Sequence, residues 1–317
     1  MFTGFHFIPP DTKIDFVGMR TITWIVSALL TVVPLILVWT HGLNMGIDFE
    51  GGTLIEIQTK ESPANLAEIR GKISGLDIGE VQIQEFGAPN SVLIRIASQP
   101  TDQEQQASIA KVKEALGDGV EYRRVEIVGP TISGELIASG TIAVVVALLG
   151  ILIYVWFRFE WQFAVAAIAS LIHDVTGTIG LYALLQLEFN VSSIAAILTI
   201  IGYSLNDKVV IFDRVRENLR KYKRMPLVEL LDLSINETLS RTVLTHVTTF
   251  LAMMPFVFFG GEAIFGFSVA MCWGIVIGAY SSIFVASPLQ LILGVRRDAF
   301  SASPIPAKGR GTAPARA

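Results

Sequence analysis

Charged residues are scarce in this chain: Asp, Glu, Lys and Arg make up 16% of its 317 residues, against about 25% in an ordinary soluble domain. With 52% apolar residues and a mean hydropathy of +0.57, that scarcity excludes a purely soluble enzyme. Basic charge is not in excess either. The 24 Lys and Arg are outnumbered by 28 Asp and Glu, so the phosphate neutralisation that nucleic-acid binding requires has no support. Cysteine is limited to Cys272. A lone thiol makes neither an internal disulfide nor a Cys-based zinc cage, and in its apolar run it reads as a small buried hydrophobe. The sequence suggests no metal, cofactor or catalytic constellation.

What the chain has in quantity is long apolar runs. Segments of about 20 apolar residues, enough for a helix to cross a bilayer core, recur near 22–40, 137–157, 162–184, 191–212, 242–259 and 264–287. The first is too long for the apolar region of a secretory signal and is expected to stay as an anchor. Six spans put both termini on one side. Placing them in the cytoplasm of a bacterial inner membrane puts Lys13, Arg20, Arg158, the run Arg214 to Arg224, and Arg296, Arg297, Lys308, Arg310 and Arg316 inside, while the opposite loops 185–190 and 260–263 hold no basic residue. The expected organisation is a cytoplasmic N-terminus (1–21), a first span (22–40), an extracytoplasmic domain (41–136), a bundle of spans two to six (137–295) with a cytoplasmic loop near 213–241, and a disordered tail (296–317).

Residues 42–135 hold 15 acidic and 8 basic residues and read as a soluble module. Strands expected at 53–58, 80–86, 91–97 and 120–128, with helices at 63–74 and 103–116, give the order βαββαβ of a ferredoxin-like α+β domain. The module has no placed nucleophile or base and reads as a binding or moving domain. The linker GIDFEGG, with Gly46, Asp48, Gly51 and Gly52, is either a membrane-exit turn capped by Asp48 or a hinge.

Polar residues inside membrane spans are costly and usually face a bundle interior or a wet cavity. Thr199, Tyr203, Asn206 and Asp207 fall on one face of the fourth span. Arg241, Thr245, Thr248 and Thr249 fall on one face of the fifth beside His246, and Ser170, Asp174 and Thr178 line the third beside His173. At 1.5 Å per residue Asp207 sits about 9 Å inside the cytoplasmic end of its span, a depth that an Arg241 guanidinium can approach. The expectation is an Asp207–Arg241 pair, either a static tie or a proton-linked switch, with no contact between the two as the remaining alternative. Lys208 either snorkels to the surface or stays near Asp207 and favours its carboxylate. His173 and His246 are hydrogen-bonded core imidazoles or members of a proton pathway. Ala270, Gly274, Gly278 and Ser282 form a small-residue face for close helix packing.

These residues lie in motifs that resemble the SecD/SecF family of protein-export membrane proteins, and through it the resistance-nodulation-division superfamily of proton-driven transporters. The motifs are GIDFEGG (46–52), VGP (128–130), FRFEW (157–161), HDV (173–175), IGYSLND (201–207), FDRVREN (212–218), TLSRT (238–242) and SSIFVAS (281–287). The resemblance implies a non-enzymatic export subunit. It would use the proton motive force with SecD to complete translocation of unfolded preprotein after SecA-driven insertion through SecYEG, with YajC and YidC as further candidate partners. It also implies proton coupling at Asp207 and Arg241, with Asn206, Tyr203, Thr199, Asp174, His173 and His246 as candidates for the pathway. Lys208 departs from a common Ser or Thr, and His246 from a usual small hydroxyl residue. Two rivals stand beside this reading: half of a proton-driven small-molecule exporter, and a membrane hydrolase using Asp174 and Asp207 as a carboxylate pair.

Overall fold

The computed structural model describes residue 9 and residues 12–295; the expected tail lies outside the described residues. The chain enters the bundle through α1 (Arg20–His41), which leads by a short strand β1 (Asn44–Met45) and one helical turn, α2 (Ile47–Glu50), into the module. There follow β2 (Gly52–Thr59), α3 (Leu66–Ile73), β3 (Val81–Phe86), β4 (Ala88–Ile96), α4 (Asp102–Leu116) and β5 (Val120–Val128).

Local chemistry sets these boundaries. The Asn65 side chain accepts from the Glu68 amide at the start of α3, and Thr101 does the same for Glu104 at the start of α4, each satisfying an orphan helical N–H. The strands pair in the order β3-β4-β2-β5, every neighbour antiparallel. Alternation along β2 sends Ile55 and Ile57 toward α3 and α4, where Ile69, Ile73, Val92, Ile94, Ile109 and Val112 complete an apolar core. Leu54 and Leu93 point the other way and pack on Ile47 of α2. One sheet face is thus covered by helices, and the base of the other by the linker.

The remaining long helices are α5 (Pro130–Arg158), α6 (Trp161–Leu185), α7 (Val191–Lys221), α8 (Leu227–Phe259) and α9 (Glu262–Ser281), the last continuing through a π-helical segment, Ser282–Ala286, into α10 (Ser287–Ile292). Six helices among the described residues are long and apolar enough to cross a membrane. The interior is built from α6, α7 and α9, while α1, α5 and α8 are largely exposed. Glycines permit close approach. A Cβ on Gly180 of α6 would lie 2.7 Å from the Pro34 Cα of α1, and one on Gly278 of α9 would lie 3.1 Å from the Ser204 hydroxyl of α7.

Two expectations need correction. The loop near 213–241 is helical except for residues 222–226, because Val215, Leu219, Leu230, Leu231 and Ile235 bury one another in an apolar seam between α7 and α8. Their 31 and 33 residues extend to roughly 45–50 Å at 1.5 Å per residue, well beyond a bilayer core. In the linker, Gly51 and Gly52 have φ values of 72° and 116° that favour glycine, whereas Gly46 is extended at −73°.

Candidate functional site

Two polar centres occupy the bundle, on different faces of α7. The first is an ion pair: Lys208 Nζ lies 3.0 Å from Asp174 Oδ2, with both side chains wholly buried. The same oxygen accepts from the hydroxyls of Ser204 (2.7 Å) and Ser281 (2.8 Å), and Lys208 also donates to both serines. Asp174 Oδ1 is 3.2 Å from His173 Nδ1, whose ring stacks on Tyr280 at 6.1 Å. The Tyr280 hydroxyl in turn donates to the Thr23 carbonyl of α1. The centre therefore ties α6, α7 and α9 together at the point where α9 passes into its π-helical segment. Such irregularities recur at functional sites.

The second centre lies between α7 and α8. Asp207 is 5% exposed; its Oδ1 accepts from the Thr242 hydroxyl at 3.2 Å, and its Oδ2 is buried without a hydrogen-bond partner. Tyr203, one turn earlier, donates to the Thr245 carbonyl at 3.1 Å, and its hydroxyl lies 3.2 Å from that of Thr249. Its ring meets the His246 imidazole edge-on at 5.2 Å. His246 Nδ1 lies 2.8 Å from the Thr242 carbonyl.

Spacing placed Thr199, Tyr203, Asn206 and Asp207 on one helical face. Tyr203 and Asp207 are brought to α8, whereas Thr199 and Asn206 are exposed. The expected Asp207–Arg241 ion pair is not formed in this structure, since Thr242 faces Asp207 and Arg241, about 100° around α8, is exposed. Lys208 neither snorkels nor turns to Asp207. Its pairing with Asp174 was missed because the two are adjacent only in space; the available signal was Ser204 and Lys208 at i, i+4 opposite the polar line of the third span. Asp174 engages α7 and α9 and Asp207 engages α8, so the two do not form the carboxylate pair of the hydrolase reading.

The linker is pinned rather than free. Strand β1 pairs in parallel with β6 (Glu188–Phe189) between α6 and α7, and Asp48 Oδ2 accepts from the Val191 amide, capping α7 instead of its own turn. Arg95 of β4 bridges the Met45 carbonyl (2.9 Å) and Glu188 (3.1 Å).

Comparison with known proteins gives these features a context. Residues 108–296 match the family described as protein export membrane protein SecD/SecF, C-terminal, and residues 36–63 match the SecD/SecF GG motif. The chain is 44% identical over 299 residues to the protein translocase subunit SecF of Cereibacter sphaeroides, covering 91% of this chain and 92% of that protein. It is also 44% identical over 290 residues to the protein translocase subunit SecDF of Brucella abortus, of which it spans 38%. The crystal structure of SecDF, a translocon-associated membrane protein from Thermus thermophilus, superposes with a TM-score of 0.82 at 35% identity, over 91% of this chain and 40% of that one. A SecDF structure in a super-membrane-facing form matches at 0.66 with the same identity and coverage. The matched span, the identity and the structural superposition together establish that the chain belongs to the SecD/SecF family of protein-export membrane proteins.

Proposed function

We propose that the chain is a non-enzymatic, SecF-type subunit of the Sec export machinery. With SecD, it uses the proton motive force to draw unfolded preprotein across the inner membrane after SecA-driven insertion through SecYEG. Its termini face the cytoplasm, and the ferredoxin-like module between α1 and α5 works on the periplasmic side. The antiparallel order β3-β4-β2-β5 supports the module's assignment, and the basic residues at the opposite end of the bundle support the orientation.

The observation that carries the proposal is Asp207, a carboxylate buried at membrane depth with one oxygen held by a single hydroxyl and the other unpartnered. Such a group is a candidate for proton-linked movement. Arg241 is within its electrostatic reach and becomes its counter-charge in another step of the cycle. Exposed Thr199, Asn206, Arg241 and Thr248 form a polar stripe that lipid does not solvate, and a second six-span half, SecD, is the partner that covers it. The fused SecDF relatives support that arrangement.

Asp207→Asn keeps the shape and removes the titration. Reconstituted with SecD and the translocon, it is expected to assemble normally and to lose stimulation of export by an imposed proton gradient. An unchanged gradient response would leave Asp207 a structural residue. The cleft at the module, about 620 Å³, is lined by Asp48, Glu85, Arg124, Glu126 and Glu188 among others, a charged wall that does not favour the small apolar cargo of the exporter alternative.

A further inference from the structure

Two buried polar atoms of the second centre lack a partner among the described residues, and one residue ties them together. His246 is 8% exposed and Asp207 5%. His246 Nε2 and Asp207 Oδ2 both lack a hydrogen-bond partner among the described residues. Thr242 holds the other end of each group, its hydroxyl donating to Asp207 Oδ1 and its carbonyl lying 2.8 Å from His246 Nδ1. A carbonyl only accepts, so Nδ1 carries a hydrogen, and in the neutral ring Nε2 is a bare acceptor. Tyr203 fixes the ring's tilt edge-on.

The other charged groups around the centre are accounted for. Asp207 lies within electrostatic reach of His246, Lys208 and Arg241, but Lys208 is engaged by Asp174 and Arg241 is exposed. From α9, which packs on both helices, Gly274 and Gly278 face α7, and Tyr280 is turned to Thr23 of α1.

We propose that His246 and Asp207 form a carboxylate–imidazole couple that binds and releases one proton as a unit, with Thr242 as the positioning residue. The inference rests on the reading of Asp207 as the proton-linked group and extends it to a second carrier. With Nδ1–H fixed on Thr242, an incoming proton has two places to go. On Asp207 it leaves two neutral groups. On Nε2 it makes an imidazolium beside a carboxylate. Both one-proton forms are electrically neutral, so the couple holds one proton without a net buried charge, whereas a second proton or none leaves a charge unbalanced.

His246→Asn tests this, because the shorter amide can still donate to the Thr242 carbonyl but cannot titrate. With two carriers reduced to one, the midpoint of the pH dependence of gradient-driven export is expected to move to lower pH, by about 0.3 unit where the two one-proton forms are equally populated and by more where the imidazole form dominates. The carboxylic-acid band seen by infrared difference spectroscopy, assigned by its loss in Asp207→Asn, should move with it. If both midpoints stay at the wild-type value, His246 only caps Thr242 and the couple is overturned. If Asp207→Asn itself keeps the gradient response, the parent reading fails instead. Should His246→Asn not accumulate, imidazole nitrogen NMR of the wild-type complex decides: His246 Nε2 should change state at the midpoint of the carboxyl band, and a signal constant across that range overturns the proposal.

Discussion

Lys208 and Asp207 are neighbours in sequence but are held by different partners. Successive residues on a helix point about 100° apart, so α7 presents one to the interior and the other to α8. A lysine enclosed beside a single carboxylate and two serine hydroxyls has exchanged water for a fixed set of partners. Such a pair is far costlier to halve than to remove whole. Lys208→Met is therefore expected to lower stability by about 3–5 kcal/mol, since it strands the Asp174 charge. The double variant Lys208→Met with Asp174→Asn should recover much of that loss, because the amide remains within reach of Ser204 and Ser281. Thermal unfolding of the purified complexes in one detergent checks both. A double variant no more stable than Lys208→Met would show that packing, not charge, governs the site. The sequence exposed the polar stripes but not which helices share them. The stripes follow from spacing along one helix, whereas the partners depend on the order in which the helices pack.

Helix existence was legible because a run of about 20 apolar residues has few alternatives. Helix ends were not always so. The apolar seam that prolongs α7 and α8 past the expected spans is interleaved with Arg214, Arg216, Glu217 and Arg220, so its composition reads as loop although its period is helical. Strands β1 and β6, two residues each, are below the length at which any pattern registers. Small residues carried more: the predicted packing face of α9 does meet α7 at Gly274 and Gly278. The sharper constraint lies between α6 and α1, where Gly180 abuts the backbone of Pro34. Gly180→Ala must push α1 outward, an overpacking expected to cost about 1–3 kcal/mol. Gly150→Ala on α5, where an added methyl meets open space, should cost nothing and serves as the control. Equal melting temperatures for the two variants would mean that α1 is not closely seated on α6.

At the scale of the whole molecule, the module is joined to the bundle by chemistry that responds to acidity. Glu188 sits between α6 and α7 with Arg95 of the module 3.1 Å away. Burial pushes its carboxyl above the usual glutamate range, outweighing the opposing pull of Arg95 and Arg124. Losing an ion pair to acid would ordinarily suggest release, but the sign runs the other way. Lifting the module away exposes Glu188 to water and returns it to its ordinary value, so the docked form binds the proton more tightly. Between the ordinary and the raised value, each fall in pH therefore favours docking. Above that window the buried carboxylate charge works against it, and Arg95 limits the penalty. Spin labels on the module and on the outer end of α9 should show the short-distance population growing as pH falls through that window, with Glu188→Gln abolishing the dependence. A growing long-distance population in acid, or a dependence that survives Glu188→Gln, would assign the response to another group. In the orientation proposed above, protons enter on the module's side, so a contact that tightens on protonation there responds to the outer pH and is separate from the couple at Asp207, deeper in the bundle.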